Sequence, residues 1–291
     1  MALRQQQVGV WTETFPFEIE AEAVAAFADA TNDDLTEHRD GTWAPPSYAW
    51  AAQWKSGLGA VIGEGVVDLT ADEVSRQLHG EHDLHVHRPM RVGTTVTLRG
   101  RTLGVFEKAS GTTFTTEAVM VDEDGEVLNT QYATGFFPGV HVGSAGSAPP
   151  PRPPAPTEPS PHETCQVVQA VDLDQPLRYA LASGDHNLVH LDRAAALSAG
   201  HPGVLAHGMC VFGMLTHAAI SELGGKNPRS LRRLAVRFAR PVYPGQSLTT
   251  TFHRGTDGAH FMTANETGEA VIVNGYAELR RLSWRERARR G

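Results

Sequence analysis

Cysteine is nearly absent from this chain, with only Cys165 and Cys210 among 291 residues. Two thiols in a chain of this size do not make the disulfide framework of a small secreted domain, so a reducing, cytoplasmic setting is expected. Long apolar runs are missing too: nothing approaches the roughly 18 residues that a membrane span needs, and "MALRQQQVGVWTETFPFEIE" lacks the apolar stretch of a secretory signal. Stable membrane insertion is therefore not expected. Positive charge is short as well, with 25 Lys and Arg against 33 Asp and Glu, a net charge of −8 and a pI near 5.9. A global nucleic-acid-binding surface is disfavoured on that balance, and an anionic ligand would need a local basic patch. No Gly-x-Ser-x-Gly elbow occurs, which removes the serine hydrolases of that type. "GLGAVIGEG" at 57–65 has its third Gly misplaced and no strand before it, so it is not a dinucleotide loop.

What is present supports a substantial core: 41% of residues are hydrophobic and 20% charged. Composition shifts abruptly at "VGSAGSAPPPRPPAPTEPSPHE", 142–163, which reads as an extended linker of polyproline character. It separates residues 1–141 from residues 164–291. These halves repeat each other. Asp33 and Asp185, His38 and His190, and "RPMRVG" (88–93) and "RPVYPG" (240–245) all share one offset, 152. Two motifs about fifty residues apart with one offset indicate a duplicated domain.

Helical spacing of Val211, Leu215, Ala218, Ala219 and Leu223, with no interior Pro, predicts a helix over 205–225 that Gly224-Gly225 ends in left-handed conformation. Strand-like runs follow, rich in Val, Thr, Phe and Tyr and broken by Gly, Asp or Asn turns. The first half offers a weaker helix around 47–60 and a similar set of strands. Each half is thus expected to be one helix followed by an antiparallel meander, an α+β arrangement with the helix buried on one sheet face.

The chemistry concentrates in "YALASGDHNLVHLD", 179–192. Its small residues suggest a turn, and it places Asp185, Asn187 and His190 within six residues. A carboxylate and a neutral imidazole at one point can hold a water and move protons both ways, general acid–base work typically worth about 10²–10⁴ in rate. Asn187 could orient that water. "AHGM" at 206–209 adds the Gly208 N–H at a helix N-terminus, where an oxygen could be polarised as in an oxyanion hole.

These segments resemble the MaoC-like, R-specific 2-enoyl-CoA hydratase family. "YALASGDHNLVHLDRAAA" is similar to its hydratase motif, and "LAHGMCVFG" and "VRFARPVYPGQ" to its next two signatures, in order. Leu188 and Arg193 stand where the family often has Pro, a change in loop stiffness more than in chemistry. The resemblance implies a double hot dog, each repeat a long helix wrapped by an antiparallel sheet, with the first repeat degenerate and supplying an acyl tunnel. It implies that Asp185 and His190 activate water, that Asn187 orients and that the Gly208 N–H holds a thioester carbonyl. No cofactor is expected beyond the CoA or acyl-carrier-protein thioester that carries the substrate, and a homodimer is expected. The implied reaction is reversible hydration of a trans-2-enoyl thioester to a (3R)-hydroxyacyl product. A dehydratase for a short branched or dicarboxylic acyl-CoA, a thioesterase and a non-catalytic acyl-thioester-binding subunit are the alternatives.

Further contacts are expected from His207 and from Arg232, Arg233, Arg237 and Arg240, the last four as partners for CoA phosphates. No metal site is expected: His79, His82, His85 and His87 lack spaced acidic or Cys partners. Asp33 and His38 read as a vestige, because Leu35 replaces the Asn and Pro46, standing for the Gly, has no N–H. The basic tail "RRLSWRERARRG" (280–291) reads as a frayed end.

Overall fold

A computed structural model describes residues 3–70, 73, 77–146, 152–154, 164–255 and 258–280. Most of the expected linker, and the tail from residue 281, lie outside the described residues. The first half runs β1 (Phe15–Glu18), α1 (Ala21–Ala30), α2 (Thr36–Arg39), α3 (Tyr48–Lys55), α4 (Leu58–Val61), β2 (Leu78–Val86), β3 (Thr95–Lys108), β4 (Gly111–Val121) and β5 (Val127–Pro138), with β6 (Ala145–Gly146) bridging to β3. The second half runs β7 (Thr164–Ala170), α5 (Gln175–Ser183), a 3₁₀ turn (Leu188–His190), α6 (Arg193–Ser198), α7 (Gly208–Glu222), β8 (Leu231–Phe238), β9 (Ser247–Arg254), β10 (Ala259–Ala264) and β11 (Ala270–Leu279).

The strands form one antiparallel sheet in the order β1-β3-β4-β5-β2-β8-β11-β10-β9-β7. Replacing each strand by its counterpart in the other half reverses that order, so the sheet has an internal two-fold axis. It passes where β2 meets β8, beside the pair Asp83 and Ala235, whose numbers differ by the repeat offset of 152. This is the double hot dog.

The central helix α7 is buried from Met209 to Thr216 without a polar face. Such a helix must be covered on all sides. Strands β7 and β8 contact it on one side, and the end of α1 crosses it on the other. A Cβ on Gly213 would lie 2.5 Å from Thr31, so only Gly lets the helices approach that closely. The helix starts at Gly208 rather than 205 because the Ala206 N–H bonds the Val242 carbonyl in an extended segment. It ends through Gly225 at φ +60°.

Three expectations need correction. Each half opens with a strand and a further helix before its central helix, and β2 and β8 cross over to the two-fold seam instead of starting a meander. The stretch 179–183, read as turn, is the end of α5. Pro176 fits its first turn, Ala favours helix, and Gly184 closes it at φ +80°. Its Tyr179, Ala180, Ala182 and Ser183 are buried, and α1 and α3 pack on the helix.

Candidate active site

Helix α5 delivers the chain to Asp185 through a short relay. The Ser183 hydroxyl donates to the Tyr179 carbonyl at 2.7 Å and accepts from the Asp185 N–H at 3.2 Å. The Asp185 carboxylate then accepts the Asn187 N–H at 3.2 Å, and Asn187 Oδ1 accepts the Val189 N–H at 3.3 Å, capping the 3₁₀ turn that carries His190. Asn187 is exposed, and this bond gives its carbonyl oxygen a loop-holding task. Leu188, where a Pro was noted as usual, is 61% exposed and starts the turn.

Backbone carbonyls fix both imidazoles here. His190 Nδ1 lies 3.0 Å from the Leu205 carbonyl, and His207 Nε2 lies 3.1 Å from the Asp185 carbonyl. A carbonyl only accepts, so these nitrogens carry the protons; the free lone pairs of the neutral rings are on His190 Nε2 and His207 Nδ1. Burial lowers the pKa of His190, and burial followed by the neighbouring His190 lowers that of His207 to about 4. Both rings are thus neutral near pH 7.

Asp185, His190 and His207 each place a polar atom within 4.8 Å of the others. Groups at that separation can share one water at ordinary hydrogen-bond lengths. They are also the kinds of residue that bind a transition metal. The His190 and His207 rings stack at 3.8 Å with an angle of 28°.

Gly208 begins α7, so its N–H has no intrahelical acceptor and the helix dipole favours negative charge there. The place of its missing Cβ is 3.3 Å from the Phe238 ring. The sequence-predicted Asp185, His190 and His207 thus come together beside the first turn of α7, whose first residue is Gly208.

His207 is 1% exposed and braces the Asp185 loop through Nε2. Of the arginines expected to hold CoA phosphates, Arg233 is corrected. Arg233 makes a bidentate pair with Asp83 at 2.9 and 2.6 Å across the two-fold seam and is structural. Arg237 shares its strand face, opposite the face of Leu234 and Val236 that enters the core. Arg232 and Arg240 are exposed beside Glu278 and Glu269, at 3.4 and 3.8 Å. Sequence reasoning missed Ser183, Tyr179 and the Leu205 carbonyl. Tyr179, 4.9 Å from His207 ring to ring, was visible as the aromatic that leads the motif, but nothing in the sequence ties a carbonyl fifteen residues away to His190.

The first-half counterpart is arranged differently. His38 Nδ1 bonds Asp33 Oδ2 directly at 2.7 Å, with both side chains fully buried. Ala44 bonds the Met90 carbonyl as Ala206 bonds that of Val242, so positions 162 apart correspond and Pro46 occupies the place of Gly208.

Comparison with known proteins fits this geometry. Residues 151–275 match the MaoC like domain, and residues 6–131 match the FAS1-like dehydratase domain region. Peroxisomal multifunctional enzyme type 2 of Drosophila melanogaster is 31% identical over 211 residues, 72% of this chain and 35% of that protein. The 3-hydroxyacyl-thioester dehydratase Y of Mycobacterium tuberculosis is 27% identical over 219 residues, 68% of this chain and 73% of that one. A MaoC-like dehydratase from Phytophthora capsici superposes with a TM-score of 0.80 at 20% identity, covering 97% of this chain and 98% of the other. The chain spans only about a third of the multifunctional enzymes that it matches. With both halves matched in order, the chain belongs to the MaoC-like hydratase and dehydratase family.

Proposed function

We propose that this chain is a hydro-lyase that adds water reversibly to trans-2-enoyl thioesters, giving (3R)-hydroxyacyl thioesters. The observation that carries the reading is the meeting of Asp185 and a neutral, Nδ1-protonated His190 beside the free N–H of Gly208. In the hydration direction, a water held between Asp185 and His190 Nε2 gives its hydroxide to C3. His190 takes the released proton and passes it to C2, and Asp185 stabilises the transient imidazolium. The Gly208 N–H, helped by the helix dipole, holds the thioester oxygen as it gains enolate character. Dehydration is the same path reversed. Side chains alone move the protons, so the reaction needs no redox or group-carrying cofactor.

On this reading residues 164–291 form the catalytic repeat, residues 1–141 a degenerate repeat that shapes the acyl site, and 142–163 the linker between them. The thioester carrier is CoA or an acyl carrier protein, the working unit a homodimer and the setting cytoplasmic. Free thiols at Cys165 and buried Cys210 are in keeping with a reducing compartment, and no helix among the described residues is long and apolar enough to cross a membrane. Relatives named as enoyl-CoA hydratase 2 in Dictyostelium discoideum and Arabidopsis thaliana, the latter peroxisomal, support the reaction class.

The test is loss of enoyl absorbance with crotonyl-CoA and a longer trans-2-enoyl-CoA. Turnover by the wild type that Asp185→Asn abolishes is the expected result. A folded wild type inert towards every enoyl thioester overturns the reading.

A further inference from the structure

Between α3 and β2, in the repeat without a working Asp–His pair, lies a group of polar side chains that the mechanism does not use. Trp50, Gln53 and His82 are 9%, 2% and 1% exposed. Trp50 Nε1, Gln53 Oε1, His79 Nε2 and the His82 ring are buried, and apart from Gln131 beside His82 these atoms have no hydrogen-bond partner. Buried polar groups are rarely left so, because each unmade bond leaves the cost of desolvation uncompensated.

The rings form one contiguous cluster. Trp50 lies 5.1 Å from His79 and 5.2 Å from His82, His79 lies 5.4 Å from His82, and Gln53 is one turn along α3 from Trp50. The fold itself does not require these polar groups. By the correspondences above, the catalytic repeat has Phe212, Leu215 and Leu234 where this one has Trp50, Gln53 and His82, and all three are buried. The cluster also adjoins the reaction centre. The Phe238 ring that abuts Gly208 lies 5.1 Å from His79, and the Asp185 charge is felt at His79.

We propose that Trp50, Gln53, His79 and His82 receive an uncharged hydroxyl or keto group on the acyl chain, which makes oxygenated enoyl thioesters the substrate class. This inference rests on the hydratase reading. The cluster offers a donor in the Trp50 N–H, an acceptor in the Gln53 oxygen and one of each on a neutral imidazole, which suits a group that both accepts and donates. Burial holds His79 at about 4 and His82 well below its ordinary value, so neither provides the positive charge that a carboxylate would need. A plain alkyl chain would leave the Trp50, Gln53 and His79 atoms unpaired.

The test compares kcat/KM for hex-2-enoyl-CoA with its 5-hydroxy, 6-hydroxy and 5-oxo derivatives, and for oct-2-enoyl-CoA with its 8-hydroxy derivative. At least one oxygenated substrate should exceed its plain partner by tenfold or more. The ratio should fall towards one in His82→Leu, which copies the other repeat, and in Trp50→Phe, which removes the N–H together with the pyrrole ring. A purely structural role would lower both rates together and leave the ratio intact. Wild-type ratios of one or less, or a high ratio that both variants keep, overturn the proposal while the hydratase reading stands. No turnover of any enoyl-CoA sinks the hydratase reading and the proposal with it.

Discussion

Asp33 and His38 have the same spacing as Asp185 and His190, yet the first pair is joined at 2.7 Å in a fully buried site, and the second is held apart by other partners. In the first repeat the imidazole closes onto the carboxylate, and Arg39 fixes the Asp33 carbonyl from outside. In the second, the Leu205 carbonyl takes the Nδ1 proton of His190; the Asn187 N–H on the Asp185 carboxylate is common to both repeats, its counterpart being the Leu35 N–H on Asp33. Neither group can then be satisfied by its neighbour alone, and both retain capacity for a third party. What separates the two pairs is the partner of the imidazole Nδ1: a main-chain carbonyl leaves the carboxylate open, whereas the carboxylate itself makes a buried bond.

The largest expected effect breaks the reactive pair. Asp185→Asn or His190→Ala should lower kcat on crotonyl-CoA by about 10²–10⁴ while leaving urea stability close to wild type, because both residues are partly exposed. The mirror experiment is His38→Leu. It strands a buried Asp33 oxygen, a change that typically costs about 1–3 kcal/mol, and it should lower the urea midpoint with kcat unaltered. Equal losses of rate in the two variants would mean that the first pair also takes part in the chemistry.

A smaller effect comes from moving one feature between repeats. Gly208→Pro gives the second repeat the residue that its counterpart has. Pro is tolerated at the first position of a helix, and His207 already has the extended backbone, φ −62° and ψ 135°, that a following Pro favours. The variant should fold and lose the thioester donor, with kcat down by about 10²–10³. A rate within a few-fold of wild type would remove Gly208 from the mechanism.

Much of this arrangement was legible in the sequence because duplication preserves numbering. The shared offset identified the two repeats, and it also placed the two-fold seam once β2 and β8 were seen to pair. The central helix was legible from its apolar spacing. Helix α1 was not, because "AEAVAAFADA" is mostly Ala, which is neutral between core and surface, and α5 was not, because "QPLRYALAS" is short and its small residues before Gly184 also fit a turn. The arginines misled for a related reason. Strand alternation puts Arg233 and Arg237 on one face, but no local pattern says that Asp83, 150 residues away, will claim Arg233. In the site, residue types and spacing singled out Asp185 and His190, which the fold brings together with His207. The bond from His190 to a main-chain carbonyl, which sets its tautomer, depends on how two distant segments dock.

The gentlest probe of the contrast is acid. His79, His82 and His207 are kept neutral in the folded chain, the first and third at about 4 and His82 well below its ordinary value, in each case chiefly by burial. Their folded pKa values lie below the unfolded value near 6.5, so between those limits the unfolded chain binds protons that the folded chain does not. Stability should therefore be fullest above about pH 6.5 and decline as pH falls towards 4; His207 alone contributes about 3 kcal/mol across that window. Urea midpoints at successive pH values measure the slope. Replacing His82 by Leu, the residue at the corresponding place in the other repeat, should make the decline shallower, because one proton-binding group is gone from the unfolded chain and none is lost from the folded one. An unchanged slope in that variant would mean that His82 is already protonated when folded, and the uncharged character assigned to the cluster around it would fail with it.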